Sequence, residues 1–187
     1  MGDWQRSYPR FSQCGLNCGL CPRYHTDGAS RCPGCGGADF FSKRPACGVI
    51  SCARKKGVAE YCYLCEEYPC KKYNGVALHD SFITHQNMMT DFEKAKAVGM
   101  EAYQAELDEK VAALEDLLAH YNDGRRKSFF CTAVNLLALQ DVRAVMAQLE
   151  QTALAGDTKA RAACAVQLFE GMAAQRGITL KLNKKKA

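Results

Sequence analysis

Between residues 12 and 72 the chain is short of aliphatic side chains: Leu16, Leu20, Val49, Ile50, Val58 and Leu64 are the only Leu, Ile and Val there. A segment of that size with so little to bury needs a staple of metal or disulfide. No apolar run is long enough to span a bilayer, which excludes a membrane-spanning helix. The opening Met-Gly-Asp-Trp-Gln-Arg lacks the apolar stretch and cleavage site of a secretory leader. Arg6 stands where a myristoylation signal needs Ser or Thr. The expected location is therefore cytoplasmic, with no membrane partner, and there thiols stay reduced. The familiar catalytic-zinc patterns H-x-x-E-H, H-E-x-x-H and H-x-E with a downstream P-C-x-x-C are absent. That argues against an open zinc site with a general base beside it. No low-complexity tract interrupts the chain.

What the chain has instead is cysteine. Ten of its twelve lie between Cys14 and Cys70, in two runs of five: Cys14, Cys18, Cys21, Cys32, Cys35 and Cys47, Cys52, Cys62, Cys65, Cys70. Three pairs are C-x2-C: Cys18/Cys21, Cys32/Cys35 and Cys62/Cys65. A two-residue gap lets both sulfurs address one tetrahedral ion from a tight turn, and paired knuckles of this kind mark a closed metal site. All ten are candidate metal ligands, enough for two four-thiolate sites with two thiols over. One natural split joins Cys18/Cys21 to Cys32/Cys35 and draws the second site from the later five; interleaved sites fit the order equally well. Zinc, as two ions, is favoured by the Cys-Pro-Gly-Cys-Gly turn at 32–36. An iron–sulfur cluster is the alternative, because thiolate-only ligation suits it too.

Cys14-x3-Cys18-x2-Cys21 also has the spacing that holds a cluster in radical S-adenosylmethionine enzymes, but nothing downstream alternates strand and helix as their barrel requires. Cys131 and Cys164 sit alone in apolar helical patterns and read as core residues. His25 reads as a neighbour of the site and not a ligand. His79, His85 and His120 have no partner motif. Thiol-redox chemistry would have to use a spare thiol, Cys14 or Cys70, near basic residues.

Charge is uneven. Residues 1–78 hold 11 Lys+Arg against 6 Asp+Glu, and residues 79–187 hold 14 of each. A divalent ion with four thiolates is a net anion, so two such sites offset most of the excess. The basic clusters Arg54-Lys55-Lys56, Lys71-Lys72 and Arg125-Arg126-Lys127 are therefore weak evidence for nucleic acid, and Tyr61, Tyr63, Tyr68 and Tyr73 read as packing and not as base-stacking platforms. A protein partner is favoured, and enzymatic activity is left open.

Beyond residue 78 the pattern turns helical. The spacing predicts helices over 79–98, 100–121, 128–139, from Asp141 to before Gly156, and from Asp157 to about Gly177. Ser128, Asp141 and Asp157 are the expected caps. The third is apolar nearly all round and should be central. Ile178, Leu180 and Leu182 suggest a short edge strand or extended tail, and Lys184-Lys185-Lys186 a solvated terminus. The expected architecture is a small irregular Cys-rich metal-bound module over 1–78 and an all-α helical bundle over 79–187, mainly α overall.

The stretch Cys14-Gly15-Leu16-Asn17-Cys18-Gly19-Leu20-Cys21-Pro22-Arg23-Tyr24 resembles the opening of a bacterial and archaeal family known only as domain of unknown function 3795. The resemblance continues through Cys32-Pro33-Gly34-Cys35 and Cys47 to Val58, and ends at Cys62-Tyr63-Leu64-Cys65-Glu66-Glu67-Tyr68-Pro69-Cys70. It implies a metal-binding domain without an established activity. The helical part, from His85 to Lys127, is also similar to longer members.

Overall fold

The structure is a computed structural model that describes residues 4–44, 47–58, 60–152 and 157–184. Gly156 and Lys185-Lys186, expected above at a helix end and in the tail, lie outside the described residues. The front of the chain is irregular, built on short 3-10 turns such as Cys18–Leu20 and Cys62–Leu64. Two short helices interrupt it, α1 (Phe40–Lys43) and α2 (Gly48–Lys55). Five longer helices follow: α3 (Met88–Val98), α4 (Met100–His120), α5 (Lys127–Leu136), α6 (Leu139–Gln151) and α7 (Thr158–Gln175). Among the described residues there is no strand; residues 178–184 form no regular element and bend at Lys181, whose amide donates to the Thr179 carbonyl at 2.8 Å.

α4 buries Tyr103, Leu107, Val111, Leu114 and Leu117 on one stripe, as its 3–4 spacing requires. It ends at the Asn122-Asp123-Gly124 turn, where the Asn122 side chain accepts from the amides of Gly124 and Arg126. Phe130 through Asn135 of α5 are all buried, but the helix that packs against most others is α4, which meets α3, α5 and α6. Asp157 caps α7 by accepting from the Ala160 amide at 2.8 Å.

Three further expectations change. The helix expected from residue 79 starts only at Met88. Asp80 is occupied elsewhere: its carboxylate accepts from the backbone amides of His85 and Asn183, both at 2.6 Å, and so holds a loop against the C-terminal segment. Asp141 does not cap α6. The cap position is Ala138, and Asp141 is buried in the first turn, where Arg176 donates to it at 2.6 and 3.0 Å. α5 begins at Lys127 without a side-chain cap, and Leu139 opens α6 instead of closing α5. The buried face of α7 is Ala162, Ala165, Phe169 and Ala173.

The thin apolar content of the front segment has a structural answer. Its Phe11, Leu20, Tyr61 and Tyr73 share one core with Phe92, Tyr103, Leu107, Val111 and the rest of the bundle. Phe92 of α3 is fully buried, and Phe11, Tyr61, Tyr63, Tyr68 and Tyr73 surround it with ring centroids 5.0–6.4 Å away. The helices thus lend the cysteine segment a wall. Two glycines let the backbone approach that wall. A Cβ on Gly15, whose φ is +95°, would lie 2.8 Å from the Met88 carbonyl oxygen, and one on Gly19 would lie 2.7 Å from a Val111 methyl. No helix among the described residues is long and apolar enough to cross a membrane.

Candidate metal centre

The ten front cysteines carry free thiols, all buried or half-buried. Cys52, Cys62, Cys65 and Cys70 line one small pocket with Val49, Val58, Tyr68 and Tyr73, its cavity about 30 Å³. They come from α2, the 62–64 turn and the chain just past it. Burial raises the Cys62 thiol; the Tyr73 hydroxyl opposes this, and Cys70, Cys52 and Cys65 add to the rise.

The second group surrounds Cys35. Cys18, Cys35 and Cys47 pack with Trp4, Phe40, Phe41 and Ile50 in a small apolar cluster of their own. Burial pushes the Cys35 thiol up to about 11, with Cys14 and Cys47 adding to the rise, while the Gln13 amide and the Arg6 guanidinium pull it down. Burial also drives Cys18 well up, with Cys35, Cys14 and Cys21 as contributing neighbours. Cys14 stands between the two groups. Burial raises it, the Ser12 hydroxyl at 3.1 Å lowers it, and Cys47 and Cys62 both raise it. Arg6 is held against this group by donating to the Phe11 and Cys35 carbonyls and lying over the Tyr61 ring.

Cys21 and Cys32 form a third neighbourhood. Burial raises Cys21 and the amides of Arg23 and Tyr24 lower it, with Cys32 a further raising neighbour. Burial raises Cys131 of α5 to about 12, and its first thiol neighbour is Cys21. Cys18 thus has thiol neighbours on both sides, Cys35 and Cys14 on one and Cys21 on the other, with Cys47 packed in the same small cluster as Cys35.

The donor set suits a soft cation in kind. Four sulfurs around one small apolar pocket cannot all ionise without a positive charge at their centre. In position the fit is incomplete: among the described residues, no group of three or more His, Cys, Asp or Glu side chains is arranged to hold a metal ion. Loading would have to draw the sulfurs inward. His25 is not among the thiols; its ring bonds the Gly19 carbonyl at 2.7 Å.

Residues 10–75 match the model of a family described as Protein of unknown function (DUF3795). This stretch of the chain belongs to that family. No curated protein and no solved structure matches the chain. The DUF3795 match includes all ten clustered cysteines and the short helices α1 and α2, and stops before the five longer helices.

The basic clusters beside the DUF3795 segment are partly engaged. Lys56 pairs with Glu67, Arg54 lies over the Trp4 and Phe41 rings, and Lys127 donates to the His25 carbonyl at 2.8 Å. A polar cluster that the sequence did not announce lies where the segment meets the helices. Asn17 donates to Asp91 at 2.8 Å and to Asn135 at 3.0 Å, and accepts from the Tyr103 hydroxyl at 2.9 Å. Lys110 of α4 is buried beside them. The signal was there in outline: Lys110 falls seven residues after Tyr103 and seven before Leu117, on the buried stripe of α4.

Proposed function

We propose that the DUF3795 segment is a zinc-stabilised module and that the protein acts as an interaction module for another protein. The observation that carries the metal reading is the pocket enclosed by Cys52, Cys62, Cys65 and Cys70. Four half-buried thiols facing one pocket form a closed tetrahedral donor set once a divalent cation offsets the charge of their thiolates. Cys14, Cys18, Cys35 and Cys47 offer a second set of the same chemistry. A cavity of about 30 Å³ suits a single ion better than a multi-iron cluster, which favours zinc over the iron–sulfur alternative. The rise of the Cys14 thiol is the reverse of what an activated redox thiol requires.

A protein partner is supported by Leu64, 60 % exposed inside the Cys62–Cys65 turn, with Leu78 and Phe82 exposed further along. A nucleic-acid partner is disfavoured because Tyr61, Tyr63, Tyr68 and Tyr73 spend their rings on Phe92.

The test is elemental and sulfide analysis of protein purified without oxygen, with each front cysteine replaced by serine in turn. About two zinc per chain and no colour are expected, and Cys52→Ser, Cys62→Ser, Cys65→Ser and Cys70→Ser should each release the same single ion. Brown protein with iron and labile sulfide would replace zinc by the iron–sulfur alternative. Metal-free, fully folded protein that is indifferent to strong chelators would overturn the metal reading.

A further inference from the structure

An open pocket of about 230 Å³ lies where α3, α4 and the start of α6 meet the Cys14–Cys21 turn. Asn17, Asp91, Lys94, Tyr103, Glu106 and Lys110 line it. Most of its polar groups are already spent on each other. Both hydrogens of the Asn17 amide and its oxygen are used, on Asp91, Asn135 and Tyr103. Lys94 and Glu106 pair with each other, both partly exposed.

Lys110 is the exception. It is only 9 % exposed. Its ammonium has three hydrogens to place. The bond it makes is a long one, to the Asn135 carbonyl at 3.4 Å, and none of the ion pairs within 4.0 Å among the described residues includes it. Asp91 and Glu106 attract it across the pocket, but neither stands within ion-pair distance, so the ammonium keeps hydrogens for a further partner. A second feature points the same way. Ala138, which also lines the pocket, is the cap residue of the thirteen-residue helix α6, and no side chain caps that helix. The first-turn amides carry partial positive charge, although the Asp141 amide already bonds the Ala138 carbonyl and the Asp141 carboxylate, paired with Arg176, sits in the same turn. Across the pocket, Asp91 accepts from Asn17 on one oxygen and keeps lone pairs to spare.

The pocket therefore presents a cation short of hydrogen-bond partners near the head of α6, with a carboxylate opposite it and not in contact. Lys94 and Glu106 cancel, so its lining is neutral overall. A doubly charged phosphoryl group would meet Asp91 and Glu106 with no second free cation to offset them. A zwitterion meets each charge with its opposite.

We propose that this pocket binds a small free amino acid, its carboxylate on Lys110 at the head of α6 and its ammonium on Asp91. None of its groups is a thiol, although Asn17, one wall of the pocket, lies in the turn that carries Cys14 and Cys18. It names a ligand and no reaction.

The test is titration calorimetry on the full-length protein with a panel of the common amino acids. Acetate, methylamine, glycolate and inorganic phosphate serve as partial probes. At least one amino acid should bind, and acetate and methylamine, each carrying one of the two charges, should bind at least about tenfold more weakly. Lys110→Met and Asp91→Asn should each weaken binding by about tenfold or more, and thermal unfolding of both variants will show that they remain folded. Binding of glycolate as tight as that of the amino acid would overturn the assignment of the ammonium to Asp91. Silence from the whole panel, or binding that both substitutions leave unchanged, would overturn the site. So would tighter binding of phosphate than of any amino acid.

Discussion

Replacing Lys110 by methionine keeps the unbranched stem and removes the charge. Burial lowers the Lys110 pKa from 10.5 to about 8, with Asp91 and Glu106 opposing the fall and Lys94 adding to it. That drop corresponds to about 3 kcal/mol against the charged form in the folded chain, and the figure already contains the pull of the two carboxylates. The sign follows from proton counts. Between about 8 and 10.5 the unfolded chain binds more protons at this residue than the folded one, so stability rises with pH across that window. Below pH 8 the penalty is fully present. Lys110→Met should therefore be more stable than the native chain by about 3 kcal/mol at pH 7, and by under about 1 kcal/mol at pH 10. Urea unfolding followed by circular dichroism at both pH values measures this, and other titrating groups largely cancel in the difference between the two proteins. The exception is Asp91, whose carboxyl, raised by burial to about 6 against the pull of Lys110, rises further in the variant. The reasoning fails if the variant is the less stable at pH 7, which would mean that the Asn135 bond and the Asp91 attraction outweigh desolvation. It fails equally if the gain is the same at both pH values.

Phe92→Ala should cost about 3–5 kcal/mol by urea unfolding, because five rings from the front segment lose the side chain they surround; a loss below about 1 kcal/mol would mean that those rings repack without it. Gly15→Ala places a methyl 2.8 Å from the Met88 carbonyl oxygen at φ +95°. About 3 kcal/mol is expected from strain and clash together, read in the same assay, and an unchanged midpoint would show that the Cys14–Cys18 turn is not pressed against α3.

The sequence made legible what is periodic or local. α4 follows from its unbroken 3–4 stripe, and α7 from an aspartate whose side chain reaches an amide three residues on. The cysteine spacings marked the segment that matches the family. Two of the misreadings share one cause, a partner far away in the chain. Phe82 and Ile83 fit a helical spacing, yet Asp80 is claimed by Asn183, a hundred residues later. Asp141 has the chemistry of a cap, yet it is claimed by Arg176. The cysteine grouping is hidden for the same reason: C-x2-C brings two sulfurs near one another, while the approach of Cys47 to Cys14 and Cys35 depends on how the intervening loop is folded against Trp4 and Phe40. Lys110 was visible as a lysine on a buried stripe, but a single charge there has no meaning until Asp91, Asn17 and the head of α6 are brought around it.

Asn17 joins these threads. It lies one residue before Cys18, inside the turn that carries the first three cysteines, and its side chain bonds groups on α3, α4 and α5 at once. An amide with all its hydrogen bonds made in a buried site fixes the backbone that carries it. The cysteine turn therefore does two things for the helices: it closes their core with Leu20 and Phe11, and it supplies one wall of the polar pocket. In return, the glycines on either side of Asn17 rest on Met88 and Val111, so the helices set where Cys14 and Cys18 stand. A change that repositions those two sulfurs must move Asn17 or break its bonds. The cysteine segment and the bundle thus share a core and a site wall, and neither keeps its present geometry without the other.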